Sequence, residues 1–386
     1  MTEPLGTSAS GISKRDYLLL PLVSVLTVLA MFCITEAVTR VIWNSHDDTN
    51  CLIDGYHVKA NCTSRSKSPE GPWATYRFNE CGYRSNTSCG PVPSGTVRIA
   101  ILGASVSQGL NVPYEDTYFA RSADELGRRC GLPIDIQNLG KPNSSPIYAY
   151  RRVDEALKLK PDVVLFLLAP FDVEQQIDPK ELAERNDPAR VIAANAVHEP
   201  LSLMRRLQIL IVDSRTMVVA EHFLLKNRDT YLRLYLHYGD KADFLRQPFS
   251  SAWARRFADM DLIIGGMADK MRAAGVPFIV IPVPSRAEAA LLSMPQPPPG
   301  TDGVAFGRTL EKIAAAHGAG YLDLMEPFSA IPDSQNMFLV VDGHVSPDGE
   351  KVIAKSLTEK LLDGSIPAFA HCPAPVPPAG GGLSPK

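Results

Sequence analysis

The sequence predicts an α/β domain with a mainly parallel sheet covered by helices on both faces, a helical insertion and one N-terminal membrane helix. Short apolar runs rich in β-branched residues recur along the chain, as buried parallel strands do. Amphipathic stretches of helical period separate these runs, and such alternation is typical of parallel α/β sheets. One long uncharged apolar segment near the N-terminus predicts the membrane helix.

Strands and helices alternate from residue 97 onward. The first strand, 97–102 (VRIAIL), ends at Gly103, and an amphipathic helix follows over 116–129. The other predicted strands are 134–137, 163–168, 277–282 and 321–324, and the other predicted helices lie near 147–157, 253–273, 305–317 and 347–362. Residues 178–250, rich in Arg, Leu and Tyr, interrupt this order and predict an inserted helical lid.

The segment from Tyr17 to Thr35 contains no charged residue and predicts a transmembrane helix. At a rise of about 1.5 Å per residue it spans about 28 Å, close to the ~30 Å hydrocarbon core. A cleaved signal peptide and a buried core helix are the alternatives. The apolar run is long for the core of a signal peptide, and no clean cleavage site follows it.

Charges on either side of this segment predict its orientation. Lys14 and Arg15 precede it, and acidic residues outnumber basic ones just after it. The positive-inside rule then places residues 1–16 in the cytoplasm and the rest of the chain outside. We therefore expect a single-pass anchor at 17–37 in the inner (cytoplasmic) membrane of a bacterial-type cell, with an extracytoplasmic, periplasmic domain.

The cysteines fit an oxidising compartment. Of seven, Cys33 lies in the apolar segment and six lie outside it, and an even number there predicts disulfides. The simplest pairs lie within residues 51–89, although six cysteines leave the connectivity open. The sequence has neither tight CxxC pairs nor histidines at ligand spacing, so we expect no metal and no organic cofactor.

Composition and charge divide the remaining chain and exclude one class of partner. A net charge of −3 gives no electrostatic reason to expect nucleic acid. Residues 38–95 are polar and rich in Ser, Asn, Gly and Cys, which predicts an extracytoplasmic stalk. The domain itself is expected over 96–364, and the Pro-rich residues 365–386 are expected to be a disordered tail.

Ser105 is the candidate nucleophile. In an open parallel sheet, ligands bind beyond the carboxyl ends of the strands, and GASVSQG (103–109) directly follows the first strand. Small residues allow a sharp turn, and a serine at the start of the next helix has helix N–H groups nearby. A nucleophilic serine needs such a setting, in which its own amide helps to hold an oxyanion. A helix N-cap serine is the structural alternative.

His344 is the candidate base. A serine hydroxyl is a poor nucleophile at neutral pH and needs an imidazole to take its proton. The imidazole in turn needs an anion that fixes its tautomer and offsets its charge. Asp342, two residues before His344 on a loop ahead of a helix, can supply that anion. Of the eight histidines this one has the best setting, and a solvated loop histidine is the alternative.

Together, these motifs resemble the SGNH/GDSL hydrolase family over about residues 79–364. Each motif is loose by itself, but their order and spacing make the match specific. The resemblance implies a flavodoxin-like three-layer α/β/α SGNH-hydrolase fold and ester chemistry, with Ser105, Asp342 and His344 as the triad. The matching stretches are the nucleophile block 103–109, the N-x-x-G-[FY]-R stretch 79–84, the second block 138–143, the third block 158–172 and the last block 342–349.

The chain departs from the family pattern at three positions. Ala104 replaces an acid that is structural in the family. Asn143 stands where the family has the glycine whose amide binds the oxyanion; we expect Ser105, Gly140 and Asn143 to supply the oxyanion-binding groups. Phe171 replaces the third-block Asn, a side-chain donor whose loss typically costs ~10²–10³ in kcat.

The sequence therefore predicts a serine esterase or O-acyltransferase that forms an acyl-enzyme on Ser105. Its substrate is expected to be an acylated carbohydrate or another ester, above all O-acetyl groups of an envelope glycan. Hydrolysis and transfer share the acyl-enzyme, and transfer would involve an envelope partner protein. The alternative is a catalytically weakened glycan-binding or assembly module, which Phe171 supports. A lipid ester is less expected, because 178–250 carries many charged residues.

Overall fold

A computed structural model describes residues 15–52, 58–174, 177–186 and 214–373 of the chain. Residues 1–14 of the predicted cytoplasmic segment, 187–213 of the predicted insertion and 374–386 of the predicted tail lie outside the described residues.

The N-terminal helix α1 (Asp16–Ile42) is long and apolar enough to cross a membrane, with a mean hydropathy of 2.5 over its most apolar part. None of that part is buried in the protein, so α1 is not a core helix. An apolar helix near the N-terminus is also compatible with a signal sequence.

A two-stranded antiparallel sheet follows α1 in the chain. It consists of β1 (Thr63–Ser66) and β2 (Ala74–Arg77), and the Cys51–Cys62 disulfide closes the loop beside it. A small apolar cluster of Cys51, Ala74, Tyr76 and Phe78 packs under this hairpin.

Residues 79–89, which the sequence analysis assigned to a stalk, are built into the α/β domain. Tyr83 belongs to the main apolar core, and Arg84 is 1% exposed. The backbone of Arg84 pairs with Asn138 at the edge of the large sheet. A second disulfide, Cys81–Cys89, closes this turn. The stalk boundary predicted at 95 is therefore too late, because the turn buries an aromatic and an arginine side chain.

The domain is built on five parallel strands. In chain order they are β3 (Val97–Gly103), β4 (Ile134–Asn138), β5 (Val163–Leu168), β6 (Phe278–Pro282) and β7 (Gly320–Tyr321). Their spatial order is β4-β3-β5-β6-β7, and all neighbouring pairs are parallel. Counted within the sheet, this is the order 2-1-3-4-5 of flavodoxin-like folds. The predicted fold class is thereby confirmed.

Helices cover both faces of this sheet. Alternate side chains of β3 and β5 point to opposite faces and enter two separate apolar cores. The helix bounds are α2 Ser105–Gln108, α3 Tyr118–Cys130, α4 Pro146–Arg151, α5 Val153–Lys158, α6 Pro170–Val173, α7 Pro179–Ala183, α8 Arg215–Leu225, α9 Arg228–Tyr235, α10 Ser251–Ala274, α11 Arg286–Leu292, α12 Ala305–Ala316, α13 Met325–Ser329 and α14 Pro347–Leu361, with 3₁₀ turns at Tyr114–Asp116, Gly239–Leu245, Ser334–Met337 and Pro367–Phe369. Helices α4, α5, α10 and α12 pack on one core, and α3 and α14 pack on the other.

The chain stays ordered beyond the predicted end of the domain. Residues 365–373 were expected to begin a disordered tail, but Ile366 and Phe369 are buried in the core under α3 and α14. A third disulfide, Cys130–Cys372, joins the end of α3 to this segment. Pairing within 51–89 thus accounts for two disulfides, and the third links cysteines 242 residues apart.

Candidate active site

A sharp turn between β3 and α2 presents Ser105. Gly103 has φ +142°, and a side chain there would overlap the carbonyl of Leu167 and the side chain of Ser107, so only glycine fits. Ser105 is the first residue of α2, and the N–H groups of a first helical turn have no acceptor within the helix. The hydroxyl of Ser105 and its backbone amide, which has no acceptor within α2, therefore lie together at the carboxyl end of β3.

Arg84 holds the opposite end of α2. Its guanidinium donates hydrogen bonds to the carbonyls of Gln108 at 2.6 Å, Gly109 at 2.7 Å and Val112 at 2.7 Å. A buried cation at the C-terminal end of a helix satisfies carbonyls that have no partner within the helix. Sequence reasoning did not give Arg84 a role, although the N-x-x-G-[FY]-R stretch contained the signal.

Two consecutive hydrogen bonds join Ser105 to His344 and His344 to Asp342. His344 Nε2 is 2.8 Å from Ser105 Oγ, and His344 Nδ1 is 2.7 Å from Asp342 Oδ1. When Nδ1 carries the ring proton, its N–H donates a hydrogen bond to the Asp342 carboxylate. The unprotonated Nε2 can then accept a hydrogen bond from the serine hydroxyl. The structure thus brings together the three side chains that the sequence placed 239 residues apart at most.

Asp342 and His344 each stabilise the charged form of the other. Burial disfavours the charged imidazolium, but the hydrogen bond and the charge of Asp342 outweigh it and raise the pKa of His344 above its ordinary value. Burial likewise disfavours the Asp342 carboxylate, yet the hydrogen bonds from His344 and Asn111 hold the pKa of Asp342 below its ordinary value. Asp342 therefore stays ionised while His344 gains and loses a proton.

Three further residues hold the loop that carries Asp342. Glu70 accepts hydrogen bonds from the backbone N–H groups of Val341 at 2.8 Å and Asp342 at 3.1 Å. Arg286 donates to the carbonyl of Val340 at 2.6 Å, and Asn111 Nδ2 donates to Asp342 Oδ2 at 3.3 Å. Sequence reasoning missed all three, because each is an ordinary polar residue in its local context.

The end of β5 brings Phe171 and Asp172 to the same site. The Phe171 ring lies edge-on to the His344 ring, with 5.4 Å between centroids, and Phe171 is 36% exposed. Asp172 is buried, and its carboxylate accepts the N–H of Ala169 at 2.8 Å, which closes the turn after the strand. Burial raises the pKa of Asp172 to about 7, against the opposing effects of the Ala169 N–H and the His344 charge.

Gly140 and Asn143 have different surroundings. The Gly140 amide already donates to Asn138 Oδ1 at 2.9 Å, and a side chain at 140 would overlap Ser107, so Gly140 serves close packing against α2. Asn143 is exposed with φ +57°, a conformation that Asn adopts more readily than most residues. No hydrogen bond joins Asn143 to Ser105 in the described part of the chain. The Ser105 and Asn143 amides remain the candidate oxyanion donors.

These residues lie at one edge of the sheet. Ser105 follows β3, Gly140 and Asn143 follow β4, and Phe171 follows β5. The first strand of the sheet lies between the second and the third, so this is the point where the strand order reverses. Open α/β sheets bind ligands at such a point.

Comparison with known proteins gives similarity to solved structures alone. No family model matches the chain, and no curated protein matches it. TesA is 13% identical with a TM-score of 0.39, over 68% of this chain and 97% of that one. The lipase/acylhydrolase from Enterococcus faecalis is 11% identical with a TM-score of 0.35, over 69% and 95%. A mutant of Axe2, an acetyl-xylooligosaccharide esterase from Geobacillus Stearmophilus, is 12% identical with a TM-score of 0.36, over 69% and 94%.

Among solved structures, the chain is thus similar to lipases, acylhydrolases and esterases, the classes of protein that its motifs resemble.

Proposed function

We propose that the chain is a membrane-anchored, extracytoplasmic serine esterase or O-acyltransferase that forms an acyl-enzyme on Ser105. The observation that supports this most is the unbroken sequence of hydrogen bonds from Ser105 through His344 to Asp342, at 2.8 Å and 2.7 Å. Such a set of nucleophile, base and orienting acid is the arrangement that acyl transfer requires.

In the first half-reaction, Ser105 Oγ attacks the ester carbonyl carbon while His344 Nε2 takes the hydroxyl proton. Asp342 holds the tautomer and offsets the imidazolium charge. The backbone N–H of Ser105 and an amide N–H of Asn143 donate hydrogen bonds to the oxyanion of the tetrahedral intermediate. When the intermediate collapses, the ester C–O bond breaks, and His344 returns the proton to the leaving alcohol.

In the second half-reaction, water or a sugar hydroxyl attacks the acyl carbon, and His344 again takes the proton. The bond between the acyl carbon and Ser105 Oγ then breaks, and His344 returns the proton to Oγ, which regenerates the free serine. Water gives hydrolysis, and a sugar hydroxyl gives O-acylation. For transfer, an envelope partner protein would deliver the acyl donor. We assign the substrate to acylated carbohydrate, above all O-acetyl groups of an envelope glycan, because polymers of that kind are modified outside the cytoplasmic membrane.

The proposed location is supported by two independent features. The most apolar part of helix α1 has no residue buried in the protein, as a bilayer-spanning helix has none. Three disulfides lie in the part of the chain after α1, and disulfides persist in oxidising compartments. We therefore place residues 17–37 in the inner membrane, with the N-terminus cytoplasmic and the domain periplasmic.

Pre-steady-state turnover of p-nitrophenyl acetate by the detergent-solubilised full-length chain tests the acyl-enzyme. We expect a burst of p-nitrophenol that approaches one equivalent per chain, and a loss of at least about 10³-fold in rate for Ser105→Ala. Ser94, an exposed serine in the loop before β3, provides the control Ser94→Ala, which should match the wild type. Equal rates for the wild type and Ser105→Ala would disprove the enzymatic proposal.

A catalytically weakened glycan-binding or assembly module is the second candidate. Phe171 favours it, because a phenyl ring has no donor to offer an oxyanion. Glycan binding of equal strength in the wild type, Ser105→Ala and His344→Ala, without turnover in any of them, would favour the binding module.

A further inference from the structure

Helix α8 (Arg215–Leu225) presents an apolar face to the outside. It has 11 residues, none of which is buried. Its exposed residues are Met217, Ala220, Phe223 and Leu224, and all four are apolar. Phe223 is 68% exposed and Leu224 53%. Spacings of three, four and seven residues place them on one side of the helix.

Two polar residues of α8, Thr216 and His222, contact the rest of the protein. His222 Nδ1 lies 2.5 Å from Glu70 Oε1, and the hydroxyls of Thr216 and Thr39 lie 3.4 Å apart. A surface helix of a water-soluble protein has the opposite arrangement, with its apolar side inward. The medium that suits the outer face of α8 is therefore apolar.

Helix α8 stands beside the last turns of α1. The Glu36 carboxylate accepts hydrogen bonds from the Ser214 hydroxyl at 2.7 Å and from the N–H groups of Arg215 at 3.0 Å and Thr216 at 2.9 Å. Trp43 lies against the other end of α8, with its ring 4.7 Å from that of His222. The two helices thus run side by side and in the same direction from Glu36 to Trp43.

The apolar surface of α1 continues to its end. Val38, Val41 and Ile42 are 50%, 78% and 69% exposed. Glu36 is the first charged residue after Tyr17. Its carboxylate accepts the hydrogen bonds from the start of α8 and forms an ion pair with Arg40, whose Nε lies 2.8 Å from Glu36 Oε1. A carboxylate close to lipid is tolerated when it is paired in this way. The exposed faces of α1 and α8 therefore lie next to each other and have the same chemistry.

We propose that α8 is a membrane-interface helix whose face of Met217, Ala220, Phe223 and Leu224 contacts the lipids around the extracytoplasmic end of α1. The partner is the bilayer itself. This inference rests on the proposed role of α1 as a membrane anchor, and it does not depend on catalysis.

A bilayer-bound α8 fixes the position of the candidate active site. His222 of α8 contacts Glu70, and Glu70 in turn receives the N–H of Asp342. Arg286 adds a second link, because it donates to the carbonyls of Leu225 and Val340 at 2.6 Å each. These contacts hold the candidate site close to α8, and, if the proposed function holds, they place it to act on esters presented near the bilayer.

Site-directed fluorescence on the full-length chain in lipid nanodiscs tests the contact. Cys33, the free cysteine, is first replaced by Ser, and single cysteines are then labelled with an environment-sensitive nitrobenzoxadiazole probe. Leu224→Cys is the test position. Leu262→Cys is the matched control, a leucine 46% exposed on α10, which packs against α4, α5 and α12.

We expect the probe at 224 to emit at a shorter wavelength than the probe at 262. Doxyl-labelled lipids should quench the probe at 224 and should not quench the probe at 262. Identical spectra and quenching at the two positions would overturn the proposal. A blue shift at 224 without quenching by lipid would also overturn it, because a protein would then cover the face. Ala220→Cys repeats the measurement if Leu224→Cys does not fold.

The outcome is independent of the proposed chemistry. Lipid quenching at 224 in a chain that forms no acyl-enzyme would leave this inference standing and remove the proposed function. Turnover of p-nitrophenyl acetate without lipid quenching at 224 would leave the proposed function standing and remove this inference.

Discussion

Glu70 accepts a hydrogen bond from the backbone N–H of Asp342 at 3.1 Å, although the two residues are 272 positions apart. The same carboxylate oxygen accepts the N–H of Val341, and the other oxygen meets His222. Glu70 lies between β1 and β2, outside the large sheet, and its side chain is 3% exposed. The N-terminal hairpin therefore positions the acid that orients the candidate base.

Replacing Glu70 with Ala should lower kcat for p-nitrophenyl acetate by about 10- to 10²-fold, with KM little changed. The two backbone N–H groups lose a buried acceptor, and a small displacement of a catalytic group is costly. Glu70→Gln keeps one acceptor oxygen and should recover most of the activity. Steady-state kinetics of the three proteins measures the effect.

Glu80 provides the matched control for Glu70. It lies in the same N-terminal segment and accepts the backbone N–H of Cys89 at 2.8 Å, away from the triad. Glu80→Ala should leave kcat close to that of the wild type. Equal losses in Glu70→Ala and Glu80→Ala, or no recovery in Glu70→Gln, would indicate that Glu70 acts on stability alone.

The pH dependence of kcat/KM should show an acid limb set by His344. The base must be neutral to accept a proton, so activity rises with pH through the pKa of His344, which lies above its ordinary value of 6.5. Asp342→Asn removes the charge that raises this pKa and no longer fixes the productive tautomer. The limb should therefore move to lower pH, and kcat should fall by about 10⁴.

A second group titrates in the same range and needs its own control. The pKa of Asp172 is raised to about 7, and its carboxylate contributes to the raised pKa of His344. In Asp172→Asn we expect a small shift of the limb to lower pH with the limb retained. An acid limb that disappears in Asp172→Asn and is unmoved in Asp342→Asn would assign it to Asp172 instead.

The large sheet and the pairing of His344 with Asp342 could be predicted from sequence because both depend on local patterns. The meeting of Ser105 with His344 was instead implied by the order of motifs that resembles the SGNH/GDSL family. An apolar β-branched run such as 97–102 reports its own burial, and a residue directly after a parallel strand lies at the carboxyl edge of the sheet. Asp342 and His344 are two residues apart, so their hydrogen bond needs no knowledge of the rest of the fold.

The supports of the site could not be predicted, because they depend on long-range packing. Glu70 and Arg286 are charged residues of the kind that is usually solvated, and their sequence neighbours give no sign of the loop at 340–342 that they hold. The segment 365–373 was misjudged for the same reason. Its prolines indicate disorder, whereas the burial of Phe369 and the bond between Cys130 and Cys372 arise only in the folded chain.

Replacing Phe171 with Asn should raise kcat for p-nitrophenyl acetate by roughly tenfold. The amide would add a donor at the end of β5 beside His344, and one such donor is typically worth ~10²–10³ when its position is well supported. Phe171→Ala separates the donor from the loss of the ring and should not gain activity. A gain in both variants would mean that the ring obstructs the site.

Glu288 should make the folded chain less stable as the pH rises from about 5 to 8. Its side chain is fully buried at the start of α11, where it accepts the N–H of Ser285 at 2.7 Å and the Ser285 hydroxyl at 2.9 Å. Burial raises the pKa of Glu288 to about 8, against the opposing effect of these hydrogen bonds. In the unfolded chain this carboxyl ionises near its ordinary value of 4.5.

Between those two pKa values the folded state holds a proton that the unfolded state has lost. The free energy of unfolding should therefore decrease with rising pH, by about 1.4 kcal/mol per pH unit from this group. Glu288→Gln keeps the shape without a titrating proton and should flatten the profile by that amount. Denaturant unfolding of the full-length chain in detergent at several pH values measures both slopes.

The exposed Glu326 gives the control Glu326→Gln. If Glu288→Gln kept the slope of the wild type, Glu288 would be ionised in the folded chain, and another buried group, such as Glu350 with its pKa of about 8, would account for the dependence.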